Sequence, residues 1–208
     1  MLFRSLNTTD NEFVKFDGMN PAEIAVDYAD NVVLDFGYSV GLLFTQTQVL
    51  KEWNLYCYNI IADSGKIYCV NANTIYRLDT ISNEVSEWDM PIDSRVISLA
   101  IDKSGDIFFK FYDGHVKIGK ISVKDNLVTL WSSPITDYFN EEKPMKVDSL
   151  GNVYFGPIGL NKLIISDDRF LKITLSNDNT CYYMVIDSND NIYCSNGVSS
   201  ATKILIKQ

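Results

Sequence analysis

The sequence predicts an all-β protein assembled from repeated modules of four short strands. Three observations carry this. One phrase returns five times: an apolar run, Asp, two or three small polar residues, Gly or Asp, then a β-branched and an aromatic or apolar residue. Its turn falls at positions 30, 65, 105, 151 and 190, in steps of 35, 40, 46 and 39 residues. Periods of roughly 20–50 residues belong to solenoids, propellers and arrays. Strand formers dominate, with 12 Tyr and 11 Phe in 208 residues, and long stretches of helical period are missing.

The copies are Ile24–Val33, Ile60–Tyr68, Leu99–Phe108, Met145–Tyr154 and Val185–Tyr193. Each reads as two strands, A and B, around a tight turn. In the second copy A runs from Tyr58 to Ala62, B from Lys66 to Val70, C from Thr74 to Asp79 and D from Glu84 to Asp89. An Asp opening a turn accepts hydrogen bonds from backbone N–H groups two residues on. Gly65, Gly105 and Gly151 supply positive φ, with Asn31 and Asn191 expected in a similar role. A calcium site from Asp27, Asp102, Asp148 and Asp187 is disfavoured, because each lies in a different module and one hairpin offers too few oxygens. Phe16, Trp53, Trp88 and Trp131 close strand D and are expected to plug the seams between modules.

Four strands per repeat of about 40 residues is the pattern of propeller blades. The expected architecture is a five-bladed β-propeller in a single domain, 1–208. A half-blade at 1–17 precedes blades at 18–53, 54–91, 92–133 and 134–176, and 177–208 forms a partial blade. Phe3–Asp17 resembles the C–D half of the second copy (Tyr76–Asp89), and the last copy lacks strand D. The N-terminal strand is therefore expected to complete the last blade and close the ring, removing exposed edges. The other arrangement leaves the ends open to pair between subunits.

Composition narrows the function. Net charge is −9, and 22% of residues are charged with no Lys/Arg run, which argues against nucleic acid and anionic membrane as partners. Residues 1–10 lack the apolar core and cleavage site of a signal peptide, and no window approaches 18 apolar residues. A cytoplasmic or otherwise non-secreted setting is expected. Cys57, Cys69, Cys181 and Cys194 flank the second and fifth turns. Their register about the turns places each pair diagonally, so buried free thiols are expected rather than disulfides.

The phrase Asp-x-x-Gly-Asn-hydrophobic-Tyr, clearest at Asp148–Tyr154 and Asp187–Tyr193, resembles the repeat of NHL-type and streptogramin-lyase-like β-propellers. The resemblance covers nearly all of the chain. It implies the propeller fold, usually with six or seven blades, in a group that holds lyases, lactonases, sensors and binding platforms. Lyases of this kind use a His and a Glu near a divalent metal. The only histidine here is His115, in a B–C turn, and no motif matches a carboxylate to it. Gluconolactonase-like propellers, which the repeat also resembles, hold a divalent ion with Glu, Asn and Asp. Glu23, Asn59 and Asp178 are of those types, with no local motif to assign them. No Gly-x-Ser-x-Gly elbow is present, and Gly156-Pro157-Ile158-Gly159 cannot be a phosphate loop.

The D–A and B–C loops are expected on one face, rich in Tyr and Asn, which suit adaptable recognition. The candidate binding residues are Asn20, Tyr38, Tyr56, Tyr58, Asn73, Arg95, Tyr112, His115 and Asn196. The expected function is a non-enzymatic binding or assembly module for a protein or glycan, without a cofactor, able to oligomerise through its chain ends. The alternative is a small metal-dependent lyase or lactonase with acidic and amide ligands at the central opening.

Overall fold

The computed structural model describes residues 3–7, 12–16, 22–27, 29–47, 49–90, 95–113, 115–133, 145–156, 160–173, 181, 183–195 and 201–204. Strands β1 (Phe3–Asn7) and β2 (Glu12–Phe16) form a two-stranded hairpin. Four four-stranded antiparallel sheets follow: β3–β6 (Glu23–Val26, Val32–Asp35, Val40–Phe44, Val49–Trp53), then β7–β10 (Tyr58–Asp63, Lys66–Asn71, Thr74–Asp79, Val85–Asp89). The next two are β11–β14 (Arg95–Ile101, Ile107–Tyr112, Val116–Ile121, Val128–Ser132) and β15–β18 (Met145–Val147, Val153–Phe155, Leu160–Ile164, Arg169–Ile173). Three strands end the chain: β19 (Tyr183–Ile186), β20 (Ile192–Ser195) and β21 (Ala201–Ile204). Each sheet keeps its strands in sequence order, so every connection within a sheet is a hairpin. The one helical piece among the described residues is a single 3-10 turn, Ile165–Asp167, between β17 and β18.

The repeated phrase builds the β3–β4, β11–β12, β15–β16 and β19–β20 turns in one way. Asp27, Asp102, Asp148 and Asp187 each accept from the backbone N–H two and four residues on, at 2.8–3.0 Å. These carboxylates satisfy turn donors that would otherwise lack partners. Gly105 and Gly151 take the positive φ, as expected. In the first and fifth copies that role belongs to Asp30 and Asp190 (both φ 60), not to Asn31 and Asn191. Those two asparagines donate their side-chain amides to Asp27 and Asp187 instead. An Asx side chain tolerates left-handed backbone, which leaves the following Asn in strand geometry to reach back.

The cores lie between sheets, and this positions everything else. One cluster joins Val33 and Leu42 of the first sheet to Ile60, Ile67 and Leu78 of the second. Others join Tyr68 and Val70 to Leu99 and Phe109, Ala100 and Phe108 to Met145 and Phe155, and Tyr154 to Met184 and Ile192. Trp53, Trp88 and Trp131 pack against three of these seams, as expected; Phe16 lies in a strand whose backbone alone is described. The Trp53 indole N–H donates to Asn83 and that of Trp131 to Asp168, each on the C–D turn of the next sheet.

Two expectations are corrected. Cys57 is disulfide-bonded to Cys69 and Cys181 to Cys194, with Cα–Cα distances of 5.7 and 5.1 Å. Regular register would keep the thiols apart, but the chain leaves it. In β7, Tyr58 pairs with Val70 and Ile61 with Tyr68, so Asn59 and Ile60 face Cys69 alone. This bulge, with Asn59 at φ 53, swings Cys57 onto Cys69. Cys181 precedes β19 and stands outside the ladder. Secondly, β2 pairs with β1, and β21 has no second partner among the described residues. The closing pair expected between the N-terminal strand and the last sheet is not formed among the described residues, where β2 pairs with β1 alone.

Candidate functional site

In an antiparallel sheet read in sequence order, the loop entering the first strand and the loop joining the second to the third lie at the same end. The D–A and B–C loops therefore share a face, and the structure groups several of the expected residues on it. Asp35, buried at the end of β4, accepts from Gly37 N at 2.6 Å, and Phe36 N donates to Ser39 O. Burial raises the Asp35 carboxyl above its ordinary value, opposed by that bond. Gly37 sits at φ 82, and the turn carries Tyr38 at its tip.

Tyr38 meets Tyr56 from the next D–A loop, ring centroids 6.1 Å apart, with the two residues 83% and 56% exposed. One residue past Cys57, the Tyr58 ring receives the Arg95 guanidinium at 5.8 Å. Arg95 is paired in the ladder with Tyr112. Tyr38, Tyr56, Tyr58, Arg95 and Tyr112 thus form a ribbon across three sheets. The Cys57–Cys69 bond lies under its middle and ties the Tyr56–Tyr58 segment to β8.

The other candidates divide. Asn73 is structural: its amide donates to Met90 O while Met90 N donates to Asn73 O. His115 is exposed in the β12–β13 turn, where Asp113 is held by Lys117 at 2.6 Å. Asn20, Asn196 and Asp178 lie outside the described residues. Among the described residues no three of His, Cys, Asp and Glu gather closely enough to hold a metal ion. No helix among them is long and apolar enough to cross a membrane.

The first strands of the five larger sheets also line one channel of about 650 Å³. Glu23, Asn59, Ser98 and Tyr183 occupy the same place in their copies, four residues before the turn Asp, and all face this channel. Glu23 accepts from Ile60 N at 3.0 Å and Asn59 donates to Ile97 O at 3.3 Å. Both bonds satisfy backbone groups at the bulges of β7 and β11 and stitch neighbouring sheets, so Glu23 and Asn59 have a structural task. Lys146, which sequence reasoning did not single out, projects where other copies carry Ala25, Ile61, Ala100 and Val185. Burial lowers its ammonium below the ordinary lysine value, and the Glu23 carboxylate partly offsets this. That break in an otherwise apolar repeat position was its signal.

With this geometry described, comparison with solved structures identifies the class. A catalytically inactive variant of virginiamycin B lyase from Staphylococcus aureus, solved with quinupristin, superposes with a TM-score of 0.77 at 13% identity, over 98% of this chain and 74% of that one. A streptogramin B lyase superposes at 0.71 and 15% identity, over 100% and 74%. The tricorn protease reaches 0.62 at 10% identity, over 93% and 22%. The fold is that of the NHL and streptogramin-lyase-like β-propellers; at these identities the likeness is one of fold alone. No protein-family model matches the sequence, and no relative is found among curated proteins.

Proposed function

We propose that this chain is a rigid, non-enzymatic binding module that captures a protein partner on its D–A/B–C face. Four four-stranded sheets, with the N-terminal hairpin and the three-stranded last sheet beside them, hold that face in shape. The observation that carries the reading is the Tyr38–Tyr56 end of this ribbon, which leaves large aromatic area in solvent beside a covalently pinned loop, while Tyr58 packs on the core with Arg95 over its ring. Tyr and Arg are the residue types that dominate binding energy at protein interfaces. Tyrosine offers large contact area with few rotors to freeze. The disulfide under the ribbon reduces the ordering cost further.

The two disulfides also support an oxidising setting, outside the cell or in a periplasm, in place of the cytoplasmic one expected from residues 1–10.

The test uses wild-type protein and the Tyr38→Ser/Tyr56→Ser variant as paired baits against the secreted fraction, followed by affinity measurement with the purified partner. A loss of tenfold or more in the variant is expected. Equal affinity of the two, or binding only to an array of free glycans, overturns the reading.

A further inference from the structure

The lysines of this fold supply their own control for how a strand cation is held. Lys51 donates to Thr80 O at 3.0 Å, Lys117 and Lys120 each meet an aspartate at 2.6 Å, and Lys162 lies 3.9 Å from Asp148 over the Tyr154 ring. All four stand on the third or fourth strand of their sheets. Lys146 instead stands on a first strand, β15, where the other copies carry Ala25, Ile61, Ala100 and Val185. Among the described residues no hydrogen bond or ion pair holds its half-buried ammonium. Drawing an ammonium out of water without a partner is costly, so packing alone would give this place to an apolar residue.

The place is a cavity wall. Lys146 lines the channel of about 650 Å³, a volume in the range of small-molecule sites. Its described surroundings are continuous, since β7 packs on β11, β11 on β15 and β15 on β19. Ser98 faces the channel from β11, and its hydroxyl makes no hydrogen bond among the described residues. Asn59 faces it from β7; its side-chain amide donates to Ile97 O, which leaves its carbonyl oxygen as an acceptor.

Charge decides the class of ligand. Among the described residues of the lining, the carboxylates of Glu23, Asp63 and Asp102 stand against the single ammonium of Lys146. That balance repels an anion, admits a neutral molecule and favours a product that keeps a positive charge. Burial lowers the Lys146 ammonium and the Glu23 carboxylate partly opposes this, so more free amine is present near neutrality than at an ordinary lysine. A desolvated lysine amine is the nucleophile of Schiff-base chemistry.

We propose that Lys146 captures a small hydroxyaldehyde in this channel as a reversible imine. The amine nitrogen attacks the carbonyl carbon, and the carbonyl oxygen collects the two protons that the nitrogen sheds and leaves as water. One C=N bond replaces one C=O bond, the charge of the ammonium persists on the iminium, and nothing is oxidised or reduced. Ser98 and Asn59 offer a donor and an acceptor to the ligand's hydroxyl, which selects a hydroxyaldehyde over a plain one. The site is separate from the Tyr38–Tyr56 ribbon and does not depend on it.

Glycolaldehyde is the probe, added with sodium cyanoborohydride to the full 208-residue protein at neutral pH. Cyanoborohydride reduces the iminium to a secondary amine, and peptide mapping follows each lysine. Lys146 should be labelled at least tenfold faster than the exposed Lys103 and Lys124. Its rate should saturate with rising glycolaldehyde while theirs stays proportional. Measured against the same two lysines, acetaldehyde should show a smaller preference for Lys146, and Ser98→Ala should narrow the difference between the two aldehydes. The Ser98 hydroxyl bonds nothing among the described residues, so this variant should melt like wild type. Equal labelling of the three lysines, or a Lys146 rate that never saturates, overturns the proposal. An equal preference with acetaldehyde overturns the hydroxyaldehyde as ligand. Protection of Lys146 by excess acetate also overturns the proposal, because an anion is then the occupant.

Discussion

Tyr154 donates its hydroxyl to Oδ2 of Asp148 at 3.0 Å, closing a buried loop of hydrogen bonds around the fourth turn. The same carboxylate accepts from Leu150 N, Asn152 N and the Asn152 amide. Burial and the neighbouring Asp148 charge both raise the Tyr154 hydroxyl above its ordinary value, so it stays a donor throughout the stable pH range. Tyr193 and Asp187 repeat the pair at 3.2 Å in a more exposed turn. Tyr154→Phe is expected to cost about 1–2 kcal/mol, as a buried bond to a carboxylate is lost. Tyr193→Phe should cost less. Urea denaturation midpoints of the two variants check the order; a larger loss for Tyr193→Phe contradicts it.

The disulfides are expected to stabilise by constraining the unfolded chain. With Cys57 and Cys69 12 positions apart, the loop-entropy relation gives about 3 kcal/mol. Cys57→Ser/Cys69→Ser protein should melt lower than wild type and lose affinity for the ribbon's partner, because Tyr56 and Tyr58 flank the bond. Non-reducing peptide mapping should recover the Cys57–Cys69 and Cys181–Cys194 linked pairs. Free thiols in the purified, non-reduced protein would contradict both linkages.

The fold was legible because its signals are local. An Asp that bonds its own turn, a Gly at positive φ and alternating apolar strands recur at fixed offsets, and each acts within one hairpin. The seam tryptophans were legible for the same reason, although their partners, Asn83 and Asp168, were not: these bonds join residues 30 and 37 apart across two modules. The Cys57–Cys69 bond was misread because the Asn59 bulge changes the register by one residue, and the Cys181–Cys194 bond because Cys181 lies outside the ladder that register describes. The candidate site was half legible. Tyr and Asn enrichment located the loop face, but only the geometry separated Tyr38, Tyr56 and Tyr58 in the ribbon from Asn73 in a structural bond.

Packing density supplies a sharper prediction at Gly119 in β13. It lies under the ring of Phe109, with which it is paired across the ladder. A Cβ built at Gly119 would fall 2.1–2.6 Å from three atoms of that ring. Phe109 is itself fully buried between the second and third sheets, with Phe111 at 5.5 Å, and has little room to turn. Gly119→Ala should therefore destabilise by about 1–3 kcal/mol through overpacking. Gly119→Ala combined with Phe109→Leu should recover part of that loss, because the shorter side chain vacates the clash. Additive losses in the double variant would show that the ring is not the obstacle.

Acid sensitivity follows from the turns. Asp79 is lowered by N–H bonds from Ser82 and Ile81, and Asp125 by the Ser122 side chain and Leu127 N. Asp187 is lowered by Asn191 and Asp190 by Ser149, which also bonds it through its hydroxyl. In each case the folded carboxyl binds its proton less tightly than the unfolded chain, whose ordinary value is 3.8. Their contribution is complete above that value and disappears as pH falls through the lower folded values. Asp35 runs the opposite way, since burial raises it and protonation relieves its cost, but it is one group against four. Lys146, lowered by burial, adds stability as pH rises toward 10.5, because the unfolded chain there holds the extra proton. Melting temperature should thus be flat near neutrality, fall below about pH 4, and gain from Lys146 on the alkaline side. Asp79→Asn/Asp187→Asn protein should show a shallower acid slope, and Lys146→Met a reduced alkaline rise. An acid slope unchanged in the double variant would place the sensitivity elsewhere than in these turns.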